Sequence, residues 1–139
     1  MSIQRSFAQR NSNILELTPT GDCSGGEYLD LQMDPVNSPT VNVDVRGVTP
    51  DGSNYLFNIV YDTTLAAKYP GLEFTVFFDS FNSSDADGNF VRVTTTDQLN
   101  EITSSYHFAS DKYTQVLSVT LKSNGRIFNI VSAGNAYWD

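Results

Sequence analysis

Period-two alternation of apolar and polar residues runs through most of the chain. Over residues 40–46, TVNVDVR puts Val41, Val43 and Val45 on one face and Asn42 and Asp44 on the other, the pattern of a half-buried strand. After the turn-forming run Pro50-Asp51-Gly52-Ser53, the residues Tyr55, Phe57, Ile59 and Tyr61 recur with the same period. These two runs are predicted to pair as an antiparallel hairpin. A second hairpin, with a longer connection, is predicted where EFTVFFDSF (73–81) and NFVRVTT (89–95) flank residues 82–88. Earlier, NILELT (13–18) and EYLDLQM (27–33) alternate on either side of the loop PTGDCSGG.

The strongest local signal lies near the end of the chain, where Asn124-Gly125 suits a two-residue type I′ turn. Counting outward, Ser123 faces Arg126, Lys122 faces Ile127, Leu121 faces Phe128, Thr120 faces Asn129 and Val119 faces Ile130. Two short helices are expected in connections. In residues 62–71 Asp62 caps, Leu65, Ala66 and Tyr69 face inward, and Pro70-Gly71 ends the helix; in residues 95–105 Thr95 or Thr96 caps, with Leu99 and Ile102 three apart. The whole reads as a mainly β fold, an antiparallel β-sandwich or partly open barrel with one or two short helices in connections. No repeat of fixed period is visible, which argues against propellers and solenoids.

Composition supports strands and excludes an all-α fold: 12 Val, 9 Phe and 7 Tyr stand against 3 Lys and 7 Ala in 139 residues. That length is one domain, divided into an arm (1–12) and a β body (13–139). Only 17% of residues are charged, and polarity comes from 15 Ser, 13 Thr, 12 Asn and 5 Gln. The net charge of −8 argues against nucleic acid or an anionic membrane as partner. The charge is unevenly placed, because residues 1–12 carry Arg5 and Arg10 and no acid. An arm with so little apolar surface beyond Ile3, Phe7 and Ala8 is expected either to pack on its own domain or to be held by a neighbouring molecule. No apolar run is long enough to span a bilayer and the first residues lack a signal-like apolar core, so synthesis in a reducing cytoplasm is expected.

Candidate chemistry is sparse. Gly21-Asp22-Cys23-Ser24-Gly25-Gly26 looks like the G-D-S-G-G of chymotrypsin-like proteases with one residue too many, and the single His107 lies downstream of it. A Gly-rich turn is expected there, with Cys23 unreactive. Ser83-Ser84-Asp85-Ala86-Asp87-Gly88 resembles part of an EF-hand loop, but Ser83 and Thr94 stand where carboxylates are needed. A cation held by Asp79, Asp85 and Asp87 is weighed against a solvated hairpin tip. Glu73 and Asp79, on one strand, lie about 20 Å apart, too far for a glycosidase pair. Of the aromatic residues, Phe57, Phe74, Phe78 and Phe128 are expected in the core, leaving Tyr28, Tyr106, Tyr113, Tyr137 and Trp138 as exposed candidates for stacking on sugars. Neither catalysis nor a cofactor is expected.

A small, acidic, Lys-poor, Ser/Thr/Asn-rich β domain with a basic polar arm resembles the accessory structural proteins of tailed-bacteriophage virions, among them capsid decoration (cement) proteins and small tail or neck proteins. The resemblance covers the whole chain as composition and architecture. It implies a non-enzymatic virion component, made in the host cytoplasm and homo-oligomeric, that binds neighbouring subunits such as the major capsid protein. The residues expected to make those contacts are Ile3, Arg5, Phe7 and Arg10 in the arm and Tyr137 and Trp138 at the other end. The alternative is a carbohydrate- or receptor-binding β-sandwich module.

Overall fold

The computed structural model describes residues 14–52, 55–81, 90–95, 104–107 and 115–137. Its strands are β1 (Ile14–Leu17), β2 (Gly21–Asp22), β3 (Leu29–Gln32), β4 (Thr40–Asp44), β5 (Val48–Thr49), β6 (Leu56–Tyr61), β7 (Glu73–Phe81), β8 (Phe90–Thr95), β9 (Ser104–His107), β10 (Gln115–Ser123) and β11 (Phe128–Tyr137). One helix, α1 (Thr63–Lys68), joins β6 to β7. The first sheet has the order β1-β4-β7-β10-β11 and the second β3-β6-β8-β9, while β2 pairs with β5. The chain is therefore mainly β, with open, mixed sheets.

Parallel pairing dominates the first two-thirds. β1, β4 and β7 run parallel in the first sheet, β3, β6 and β8 in the second, and β2 beside β5 between them. A first pass (β1-β2-β3) thus visits one sheet, the small pair and the other sheet in turn. A second pass (β4-β5-β6) repeats the route one strand further along, and β7 and β8 make a third. Like stacks on like, with Leu15 beside Val41 and Val41 beside Val76, and Leu31 beside Ile59. Among the described strands the antiparallel pairs are β8 with β9, β7 with β10 and β10 with β11.

This path corrects two sequence expectations. β4 and β6 do not form a hairpin, and neither do β7 and β8; in each case the two strands belong to different sheets. At the first corner the Asp44 side chain accepts from the Arg46 N–H, capping a 3₁₀ turn over Val45–Gly47 that ends the strand and leads the chain into β5. The path is also that of a short coil, which the unequal spacing of its passes hides from a search for fixed periods.

The hairpin of β10 and β11 forms as expected, but with its tip moved by one residue. Asn124 N–H donates to the Ile127 carbonyl, so Gly125 and Arg126 are the tip, and Ser123 lies opposite Phe128, Lys122 opposite Asn129 and Leu121 opposite Ile130. The Asn124 side chain causes the shift by accepting from the N–H groups of Arg126 and Ile127, and Gly125 takes φ 93°. Each pair slips by two positions, so the faces are kept: Leu117, Val119, Leu121 and Phe128 are all buried. A bulge follows in the pairing, where Thr120 lies opposite Ser132 and Val131 is left over, 54% exposed.

α1 begins as expected. The Asp62 carboxylate accepts from the Thr64 N–H and hydroxyl, which holds its pKa below the ordinary value, and Gly71 at φ 85° ends the connection. Of the helix expected within residues 95–105, Thr95 belongs to β8 and Ser104 and Ser105 to β9, and residues 96–103 lie outside the described residues.

One core joins the two sheets. Phe57 of the second sheet stacks on Phe78 of the first with ring centroids 4.9 Å apart, and Phe128 meets Tyr61 edge-on at 4.9 Å and Phe74 at 5.2 Å. The Tyr61 hydroxyl accepts from the Phe128 N–H, and burial raises this phenol's pKa. Ser123, also buried, donates to the Ala66 carbonyl at 2.6 Å and accepts from the Gly125 N–H, pinning α1 to the hairpin tip.

Candidate assembly surface at the open end of the coil

Stacking passes in parallel leaves the first one with strand edges that nothing among the described residues covers. β1, β2 and β3 each stand outermost in their sheets. Their inward side chains, Leu15, Leu17 and Leu29, pack on the core yet stay only half-buried, with no further pass on them among the described residues. Between the β1–β2 connection and β3 runs a shallow groove of about 310 Å³, lined by Leu17, Thr18, Pro19, Asp30, Leu31 and Gln32.

The same pass concentrates charge. Residues 14–33 contain Glu16, Asp22, Glu27 and Asp30 and no Lys or Arg, and all four acids are exposed. Two of them are oriented by the pass above. Asn42, aligned with Glu16 in the parallel register, donates its amide to Glu16 at 3.0 Å, and Asn58, aligned with Asp30, donates to Asp30 at 2.9 Å. Both partners are neutral amides, which cancel none of the negative charge. Asp22 accepts from the Ser24 N–H at 2.8 Å, and hydrogen bonding to Ser24 lowers its pKa and keeps it ionised. Among the described residues the ion pair of the fold is Arg46 with Asp44, on the second pass.

The tempting motif of the sequence has a structural role here. In Gly21–Gly26 the first two residues are β2, the Cys23 thiol is buried and donates weakly to the Leu56 carbonyl at 3.5 Å, and Gly26 takes φ 80° to complete the turn. Cys23 N–H also extends the β2–β5 pairing by donating to the Thr49 carbonyl at 2.8 Å. Glu73 opens β7 and Asp79 lies further along the same strand, before its end at Phe81, with Asp44 beside Asp79 in the register. No group of three or more metal-ligating side chains occurs among the described residues, and Asp85 and Asp87 lie outside them. His107 is the last residue of β9, with only its backbone described.

The expected contact residues are placed unevenly. Ile3, Arg5, Phe7 and Arg10, as well as Trp138, lie outside the described residues, and Tyr137 is described only as the last residue of β11, opposite Gln115. Of the sugar-stacking candidates, Tyr28 is half-buried, packed against the core, and the other four have no described side chain. Phe57, Phe74, Phe78 and Phe128 are all in the core, as expected. Sequence reasoning missed the acidic end itself; its signal was the run of four acids without a base over residues 14–33. Among the described residues no helix is long and apolar enough to cross a membrane. No family model matches the sequence, and neither a curated protein nor a solved structure matches the chain.

Proposed function

We infer that the chain is a non-enzymatic structural protein of a virion, of the capsid-decoration (cement) type, which joins neighbouring subunits such as the major capsid protein through its basic arm and its sheet edges. The observation that carries this reading is the open first pass: edges of β1, β2 and β3 that no other described strand pairs with, and a half-buried apolar rim, in a chain whose residues 1–12 carry the opposite charge. Strand edges left uncovered pair with another chain unless something prevents it, so a fold that ends in this way suits a partner-bound life. The Lys-poor, hydroxyl- and amide-rich surface of the remainder fits a protein whose polar contacts are made side by side within a shell.

Removal of residues 1–12 tests the reading. The shortened chain should melt within a few degrees of the full one, since an arm with so few apolar groups contributes roughly 1 kcal/mol. Its attachment to purified particles, measured by co-sedimentation, should fall at least tenfold, on the order of 1.4 kcal/mol. Attachment of the full chain should also weaken with salt. Equal attachment by the two forms would remove the arm from the assembly contact.

A further inference from the structure

We propose that the open first pass is the receptor for the arm of a second copy of this chain: residues 1–13 of one molecule lie along the β1 and β3 edges of another. The inference rests on the assembly reading above and names the contact within it. Three observations converge on this occupant. The receptor end carries Glu16, Asp22, Glu27 and Asp30 with no base, while residues 1–13 carry Arg5 and Arg10 with no acid. The receptor leaves the apolar side chains of Leu15, Leu17 and Leu29 half-covered beside a groove floored by Leu31, and the arm brings Ile3 and Phe7. In an extended strand Ile3, Arg5 and Phe7 share one face, so apolar contact and charge pairing are offered by the same side of the arm.

Reach and direction favour a neighbour over the arm's own domain. Thirteen extended residues span roughly 43–47 Å, while a 139-residue globule has a radius of gyration of only about 14 Å. The arm enters β1 at Ile14, whereas the groove begins at Leu17, the other end of that strand. An arm that carries on in the direction of β1 therefore leads away from its own groove, and residues 1–13 contain neither Gly nor Pro to reverse it. The acids also select the occupant, because two acidic ends repel each other while a cationic strand is drawn in.

Charge reversal in the full-length protein tests this, with mass in solution read by light scattering. Arg5→Glu with Arg10→Glu gives a chain whose arm and receptor are both acidic. Glu16→Lys with Asp22→Lys and Glu27→Lys gives one in which both are basic, with three bases against Asp30 alone at the receptor end, and these three exposed sites leave untouched the Asp30 carboxylate that the buried Asn58 needs. The wild-type chain should self-associate at low salt and dissociate at high salt, and each reversed chain alone should associate about tenfold more weakly. An equimolar mixture of the two reversed chains should recover association, since each arm then meets a receptor of opposite sign on the other molecule. Circular dichroism of each variant reports whether it has folded. A wild-type chain that stays monomeric, or a mixture that does not recover, would overturn the proposal; so would recovery only when all five changes are placed in one chain, which is the signature of an arm bound to its own domain. Particle attachment is scored separately: attachment without self-association overturns this contact and leaves the assembly reading, whereas self-association without attachment supports the contact and removes the particle.

Discussion

Replacing Phe57 by Ala is expected to lower the melting temperature by about 10–20 °C, because loss of a fully buried Phe costs roughly 3–5 kcal/mol. Phe57 is 0% exposed, lies on the central β6 of the second sheet and stacks on Phe78 of the first. Its ring is one of the contacts that make the two sheets a single core, so the cavity left by its removal opens between them. Val131→Ala is the matched control: this side chain is 54% exposed at the bulge of β11 and its truncation should cost within about 0.5 kcal/mol. Thermal melts followed by near-ultraviolet circular dichroism measure the difference. A drop below about 5 °C for Phe57→Ala would mean that the sheets do not depend on this contact.

Gly47→Ala should act on the seam between the first and second passes. A Cβ at Gly47 would lie 2.8 Å from the Pro19 carbonyl oxygen and 3.0 Å from Thr20 Cγ2. The nearer atom is backbone, so the β1–β2 connection has to move, at a cost of roughly 1–3 kcal/mol. Pro19 lines the groove, and the displacement should weaken self-association along with stability. Gly25→Ala on the same pass meets nothing within 4 Å and should leave stability and association near wild type. Indistinguishable melting temperatures for the two variants would show that the passes are not held as closely at Gly47 as the geometry requires.

The contrast between β10–β11 and the coil shows which parts of the fold local sequence can carry. The hairpin is specified within a few residues by Asn124-Gly125 and by flanking alternation, and even there the Asn124 carboxamide moved the tip by one position. Pairing β1 with β4 and β4 with β7 joins segments separated by a full pass, and no turn residue records such a pairing. A signal did exist in β6, where LFNIVY is buried at every position. Reading only Tyr55, Phe57, Ile59 and Tyr61 as alternation passed over Leu56 and Val60, whose burial marks a strand covered on both faces, as in parallel sheets. Strand positions themselves were legible: the alternating runs at 13–18 and 27–33 became β1 and β3, and Asp62 and Gly71 bounded α1 as read.

The acidic end was only half legible for the same reason. Glu16 and Asp30 fall within one acidic run, but that both stand on outermost strands, β1 and β3 of different sheets, follows only from the parallel path, which places Asn42 beside one and Asn58 beside the other. The arm, by contrast, announces itself through composition alone, as a run with Arg5 and Arg10 and no acid. Charge read along the chain identified one half of the proposed contact. Topology supplied the other.

Quantitative mass spectrometry of purified particles tests the virion reading most directly. The chain should be present at a fixed copy number relative to the major structural subunit, and washing at high salt should reduce that number in intact particles, as expected for a contact between a basic arm and acidic ground. Absence from particles, or trace amounts that vary between preparations while the protein accumulates in the soluble fraction, would contradict it.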